Sequence, residues 1–157
     1  MRDLLFLLLM TLAPPLLADE VAGTVDPDHA TGLRLYEQGD FKGAVTAFER
    51  AAAREPENDV YAYWLGKACG RVAERAGALS ALRWAGRTRD ALERAVELNP
   101  DNPDAVTALA QFYEEAPRFI GGDAKKAREL RAHLAVLESR AAQAPAVTPA
   151  GPADDAR

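Results

Sequence analysis

Two stretches of the chain end in the same way, and this internal repeat constrains the fold more than any other feature. The first, AFERAAAREPEN, occupies residues 47–58, and the second, ALERAVELNPDN, occupies residues 91–102. Each has the apolar spacing of an amphipathic helix, followed by a proline and an asparagine that end it. One helical hairpin cannot bury its apolar stripe alone, so the repetition predicts hairpins that stack on one another.

The residues before the first stretch complete a longer pattern. They read GLRLYEQGDFKGAVTAF, in which a Gly-Asp pair at 39–40 marks a turn between two helices. The whole unit, from about 25 to 58, resembles the tetratricopeptide repeat, a helix-turn-helix of about 34 residues. The residues that carry the resemblance are Gly32, Gly39, Asp40, Ala44, Phe48, Ala51 and Pro56.

Two further units follow, and both are longer than the pattern. The second runs over 59–102, has Leu65-Gly66 in its first helix, and contains a surplus around AERAGALSALRWAGR. The third runs over 103–138, has Tyr113 in its first helix, and contains an insertion at APRFIGG. The resemblance therefore implies an all-α fold: a short right-handed solenoid of about three helical hairpins, the second and third with insertions.

Periodicity and helix-ending residues predict six helices, near 28–38, 41–54, 59–75, 80–98, 102–115 and 123–139. Ser80 and Asp123 are the predicted N-caps of the fourth and sixth helices. Gly66 is predicted to lie where two helices of one hairpin come closest, because a small residue permits close packing. Cys69, on the predicted inward face, is expected to be a buried and inert thiol.

The two ends of the chain differ from the repeats. Residues 1–18 combine an apolar run with a small residue, Ala18, before Asp19, which is the layout of a secretory signal peptide. We therefore predict cleavage after Ala18, a helical domain over 19–138 without a membrane span, and a periplasmic or secreted location. A retained membrane anchor is the alternative. Residues 139–157 are rich in alanine and proline and are predicted to be a disordered tail.

The insertions carry a second, narrower resemblance. ERAGALSALRWAGRTRDALERAVELNPDN and FYEEAPRFIGGDAKKA are similar to segments of small exported tetratricopeptide proteins of Gram-negative bacteria. Those proteins share an extended second hairpin and an Ala-Pro…Gly-Gly connection before the last helix. This resemblance implies a location and an architecture.

Composition and motifs exclude several classes of function. The formal net charge of -5 argues against a general nucleic-acid binder. Two histidines and one cysteine are too few for a Cys/His zinc site. The sequence contains no GxSxG, P-loop, HExxH or GxGxxG motif. We therefore expect no metal, no cofactor and no catalytic residue, and the prediction is a non-enzymatic protein.

Basic residues are concentrated in the second unit. The segment 67–89 contains one acidic residue, Glu74, and six basic ones. The first three recur every four residues and are predicted to form one ridge. The patch is either a solvated face that pairs with nearby acidic residues, or a docking surface for an acidic peptide or anionic group. Its members are Lys67, Arg71, Arg75, Arg83, Arg87 and Arg89.

By the family resemblance, the first helix of each hairpin lines a concave groove. The function this predicts is protein–protein interaction, with a peptide or helix of a partner held in the groove. Two alternatives stay open: a self-associating structural unit with contacts at the solenoid ends or Trp84, and a small-molecule binder or enzyme with the hairpin insertion as a lid. The groove-facing positions that the resemblance implies are His29, Leu33, Tyr36, Tyr63, Lys67, Arg71, Gln111 and Glu114.

Overall fold

The computed structural model describes residues 26–143, and over this range it contains six α-helices and no strand. A short 3₁₀ turn (Arg118–Ile120) lies between the last two helices. The predicted signal peptide and residues 144–157 of the predicted tail lie outside the described residues. The helices are α1 (Pro27–Glu37), α2 (Phe41–Arg54), α3 (Asp59–Arg75), α4 (Ala78–Leu98), α5 (Pro103–Glu115) and α6 (Ala124–Gln143).

The helices pack in sequence order as three antiparallel pairs. α1 packs on α2, α3 on α4, and α5 on α6, and the pairs are joined by contacts of α2 with α3 and of α4 with α5. This confirms the predicted all-α solenoid of stacked hairpins. Within the described residues, no helix is both long and apolar enough to cross a membrane.

Polar side chains begin most of the helices. Asp26, Asp40, Asn58 and Asn102 each accept a hydrogen bond from a backbone N–H in the first turn of the helix that follows. Asp123 does the same for α6, through the N–H groups of residues 125 and 126 at 2.8 and 3.2 Å, as predicted. These caps fix where each hairpin starts and turns.

The prediction that Ser80 caps α4 is wrong. The helix begins two residues earlier, at Ala78, and Gly77 occupies the N-cap position without a side-chain hydrogen bond. Ala76 and Gly77 are extended, with ψ of 152° and 155°, so the chain leaves α3 and enters α4 within two residues. Ser80 therefore lies inside the first turn, where the alanines around it favour the helix.

The last helix also extends beyond its predicted end. α6 continues to Gln143, so residues 139–143 are helical and are not part of a disordered tail. The segment SRAAQ contains good helix formers, and the first residue that breaks the pattern is Pro145.

The core forms where small residues let the hairpins approach. Phe48 is completely buried between the first two hairpins, and Leu92 and Leu109 centre the next layer. A Cβ atom on Gly66 would lie 2.7 Å from Cγ of Leu92, which confirms the predicted close approach of α3 and α4. Cys69 is fully buried as predicted, and burial raises the pKa of its thiol to about 11.

The surplus residues of the second unit lengthen its helices. α3 and α4 contain 17 and 21 residues, whereas α1 and α2 contain 11 and 14. The insertion of the third unit forms the 3₁₀ turn, which ends at Gly121 with a positive φ of 109°. Both insertions therefore lie at the turn end of their hairpins.

Candidate functional site

An open cleft of about 300 Å³ lies between α3 and α5, and we call it the groove cleft. Leu92 and Phe112 contribute to its apolar surface. Four of the eight predicted groove positions line it and come from three different helices. These four are Tyr36, Lys67, Arg71 and Gln111.

Lys67 is held in the groove cleft by aromatic rings. Its Nζ lies 4.8 Å from the ring centroid of Trp64, 5.3 Å from that of Tyr63 and 5.9 Å from that of Tyr36. Ammonium groups within about 6 Å of a ring face are attracted by the ring quadrupole. No carboxylate of the described residues forms an ion pair with Lys67. The ammonium is therefore positioned without its charge being neutralised.

Arg71 and Gln111, in contrast, are engaged by acidic residues that the sequence prediction did not include. Arg71 forms an ion pair with Glu74, and its guanidinium lies 5.1 Å from the ring centroid of Phe41. Gln111 donates a hydrogen bond to Glu115 at 2.8 Å. Glu74 and Glu115 both line the cleft. Glu74 lies three residues after Arg71, and Glu115 lies four residues after Gln111. Side chains at these spacings are neighbours on a helix, so the sequence could have identified both acids.

The other four predicted groove residues do not line this cleft. His29 packs between the rings of Phe48 and Tyr61, at 5.7 and 4.8 Å between centroids. Its Nε2 atom is buried without a hydrogen-bond partner among the described residues, and desolvation lowers its pKa. His29 is thus a packing residue at the junction of the first two hairpins, because α2 and α3 enclose it.

Leu33 and Glu114 make their contacts away from the cleft, and Tyr63 borders it only through Lys67. Leu33 packs against the core between the first two hairpins, and Tyr63 packs against the next layer. Glu114 accepts two hydrogen bonds from Arg131 of α6, at 3.0 and 2.8 Å, and these bonds lower the pKa of its carboxyl group. Glu114 therefore ties α5 to α6.

The basic residues of the second unit have different partners. Arg75 donates a hydrogen bond to the carbonyl of Gly39 at 3.0 Å, in the turn between α1 and α2. Arg87 pairs with Glu49 of α2. Arg89 pairs with Asp90.

Arg83 is exposed and forms no ion pair with another described residue. Pairing with nearby acids is what the solvated-face interpretation predicts for Arg71, Arg87 and Arg89. It does not account for Lys67.

Comparison with known proteins agrees with the geometry. No curated protein matches the chain. Residues 29–83 match a family model described as tetratricopeptide repeat. The match begins in α1 and ends in the first turns of α4, so it covers the regular first unit and part of the longer second unit. Together with the three stacked hairpins, the match supports a tetratricopeptide repeat fold for this part of the chain.

Proposed function

We propose that this protein is a non-enzymatic adaptor that holds a peptide or helix of a partner protein in the groove cleft. Tetratricopeptide repeats generally mediate protein–protein interaction, and the family is typically non-enzymatic. The main support for the proposal is that four predicted groove residues from three helices line one open cleft. They are Tyr36, Lys67, Arg71 and Gln111.

The charges of the cleft favour a partner with one acidic group. Glu74 already compensates Arg71, so Lys67 is the cation of the cleft that a carboxylate of the partner would pair with. Phe112, which is half-buried, offers apolar surface beside it. We therefore expect the bound segment to carry a carboxylate next to an apolar side chain.

We place this interaction in the periplasm. The support is the sequence of residues 1–18, with its apolar run and its small residue before Asp19, together with the similarity of the insertions to exported proteins.

Site-specific crosslinking tests the location of the partner. A benzoylphenylalanine at Gln111, which lines the cleft, is expected to crosslink a periplasmic protein through one defined segment. The same group at Glu97, an exposed position on α4 outside the cleft, is the matched control. Equal crosslinking of that segment from both positions would show that the groove cleft is not the binding site.

Charge removal then tests the role of Lys67 with the identified segment as a synthetic peptide. Removing one partner of a desolvated pair costs roughly 2–5 kcal/mol, and an exposed pair is worth about 0.2–1 kcal/mol. Lys67→Gln is therefore expected to weaken binding at least tenfold, about 1.4 kcal/mol. Arg71→Gln is expected to have a smaller effect, because Glu74 already neutralises that charge. Wild-type affinity of Lys67→Gln at low salt would contradict the proposal.

A further inference from the structure

A second cleft, of about 470 Å³, lies at the turn end of the first two hairpins, and we call it the turn cleft. One wall is the turn between α1 and α2, over residues 39–42. The opposite wall is the turn between α3 and α4 with the first residues of α4, including Trp84. This second wall is built by the residues that lengthen the second hairpin. The turn cleft shares no lining residue with the groove cleft.

Two cations that have no acidic partner among residues 26–143 line the turn cleft. The guanidinium of Arg75 lies 4.3 Å from the ring centroid of Phe41 and donates one hydrogen bond, 3.0 Å long, to the carbonyl of Gly39. Neither Arg75 nor Lys42 forms an ion pair with any described residue. The remaining N–H groups of a guanidinium are strong donors to a planar or tetrahedral oxyanion.

The acidic residue that lines the turn cleft, Asp40, caps a helix. Asp40 accepts a hydrogen bond from the N–H of Gly43 at 3.0 Å, as the N-cap of α2. Its carboxylate is thus directed at the helix that it caps. Because two cations and one carboxylate line the cleft, it keeps a net positive charge that a ligand can neutralise.

Apolar side chains also line the cleft, of which Phe41 and Val72 are buried and Trp84 is half-buried. Phe41 of α2, Val72 of α3 and Trp84 of α4 line the cleft, and the hydroxyl of Ser80 adds one further polar group. Clefts that hold small organic ligands measure about 300–1,000 Å³ and combine an apolar lining with a few polar groups. The turn cleft has this size.

We infer that the turn cleft is a binding site for a small organic anion with an aromatic body and one anionic head. Trp84 contacts the body, and Arg75 and Lys42 bind the head. The site is separate from the proposed peptide-binding surface, so either can fail without the other.

The test uses 8-anilinonaphthalene-1-sulfonate as the anionic probe and N-phenyl-1-naphthylamine, which lacks the sulfonate, as the neutral one. The chain has two tryptophans, Trp64 and Trp84. A Trp64→Phe variant leaves Trp84 as the single donor for energy transfer to either dye. We expect saturable binding of one sulfonate per chain with energy transfer from Trp84, and at least tenfold weaker binding of the neutral dye.

Substitutions in the same background test the cations. Arg75→Gln and Lys42→Gln are each expected to weaken sulfonate binding at least fivefold and to leave the neutral dye unaffected. Arg75→Lys, which keeps the charge, is expected to recover part of the loss. Arg83→Gln is the matched control, because Arg83 is exposed on α4 and does not line the cleft.

The melting temperature of each variant establishes that it is folded. Equal affinities for the two dyes, or an unchanged affinity in Arg75→Gln, would overturn the inference. Binding without energy transfer from Trp84 would also overturn it, since the dye would then lie elsewhere. None of these results bears on crosslinking at Gln111, which tests the groove cleft alone.

Discussion

Substitution of Gly66 by alanine tests the packing register of the second hairpin. The added Cβ would lie 2.7 Å from Cγ and 2.8 Å from Cδ2 of Leu92, and 3.3 Å from its backbone nitrogen. The first two contacts involve the leucine side chain and the third its backbone, so a change of rotamer would leave the third in place. Leu92 is itself 3% exposed and packs against Leu109 and Tyr113, so it has little room to move. The helices must therefore separate slightly.

The expected magnitude has two opposing parts. Overpacking of a well-packed core typically costs about 1–3 kcal/mol. Replacement of glycine by alanine inside a helix gains about 1 kcal/mol. The net loss for Gly66→Ala is then roughly 1 kcal/mol, which lowers the melting temperature by about 4 °C in a domain of this size. Gly66→Leu adds further atoms at the same contact and is expected to lose more.

Gly86→Ala is the matched control, because it lies inside α4 and a Cβ there would meet no atom within 4 Å. It gains the helix contribution without the clash and is expected to raise the melting temperature. The difference between the two alanine variants, about 2 kcal/mol, isolates the overpacking. Urea unfolding with equal slopes for all variants is the assay. If Gly66→Ala is as stable as Gly86→Ala, the proposed contact of α3 with α4 is wrong.

Two further predictions concern Asp26 and the N-terminus. A hydrogen bond from Arg54 lowers the pKa of Asp26 from 3.8 to about 2, so its stabilising effect is present above pH 4 and is lost as the pH falls toward 2. In the variant Asp26→Asn, the asparagine still caps α1 but carries no charge. Its urea midpoint should therefore lie below that of the wild type at pH 4, and the difference should shrink as the pH falls toward 2. A difference that stays constant would contradict this. Mass spectrometry of periplasmic protein should find a chain that starts at Asp19, and an intact Met1 would favour an anchor.

Much of the fold could be predicted because its determinants are local. Pro56 and Pro100 end amphipathic segments, and a proline excludes the next helical hydrogen bond whatever surrounds it. Gly66 was predictable from its place in the repeat. The start of α4 was not, because Ser80 is a plausible cap in sequence, and only the extended backbone at residues 76–77 decides where the helix begins.

The pairing of the basic patch was less predictable, because part of it depends on contacts between helices, whereas Glu74 and Glu115 of the groove cleft lie three and four residues from their partners. Arg87 pairs with Glu49, which lies 38 residues earlier in the chain, and no local pattern reveals that pair.

Helix geometry alone explains why the predicted ridge divides. A step of four residues advances about 40° beyond a full turn, so Arg75 is rotated by about 80° from Lys67 around α3. Lys67 therefore faces the groove cleft, Arg71 lies between, and Arg75 reaches the turn between α1 and α2. The same helix thus supplies one uncompensated cation to each of two separate clefts. It follows that Lys67→Gln should affect only peptide binding and Arg75→Gln only dye binding, and a variant that weakened both would show that the two clefts act as one surface.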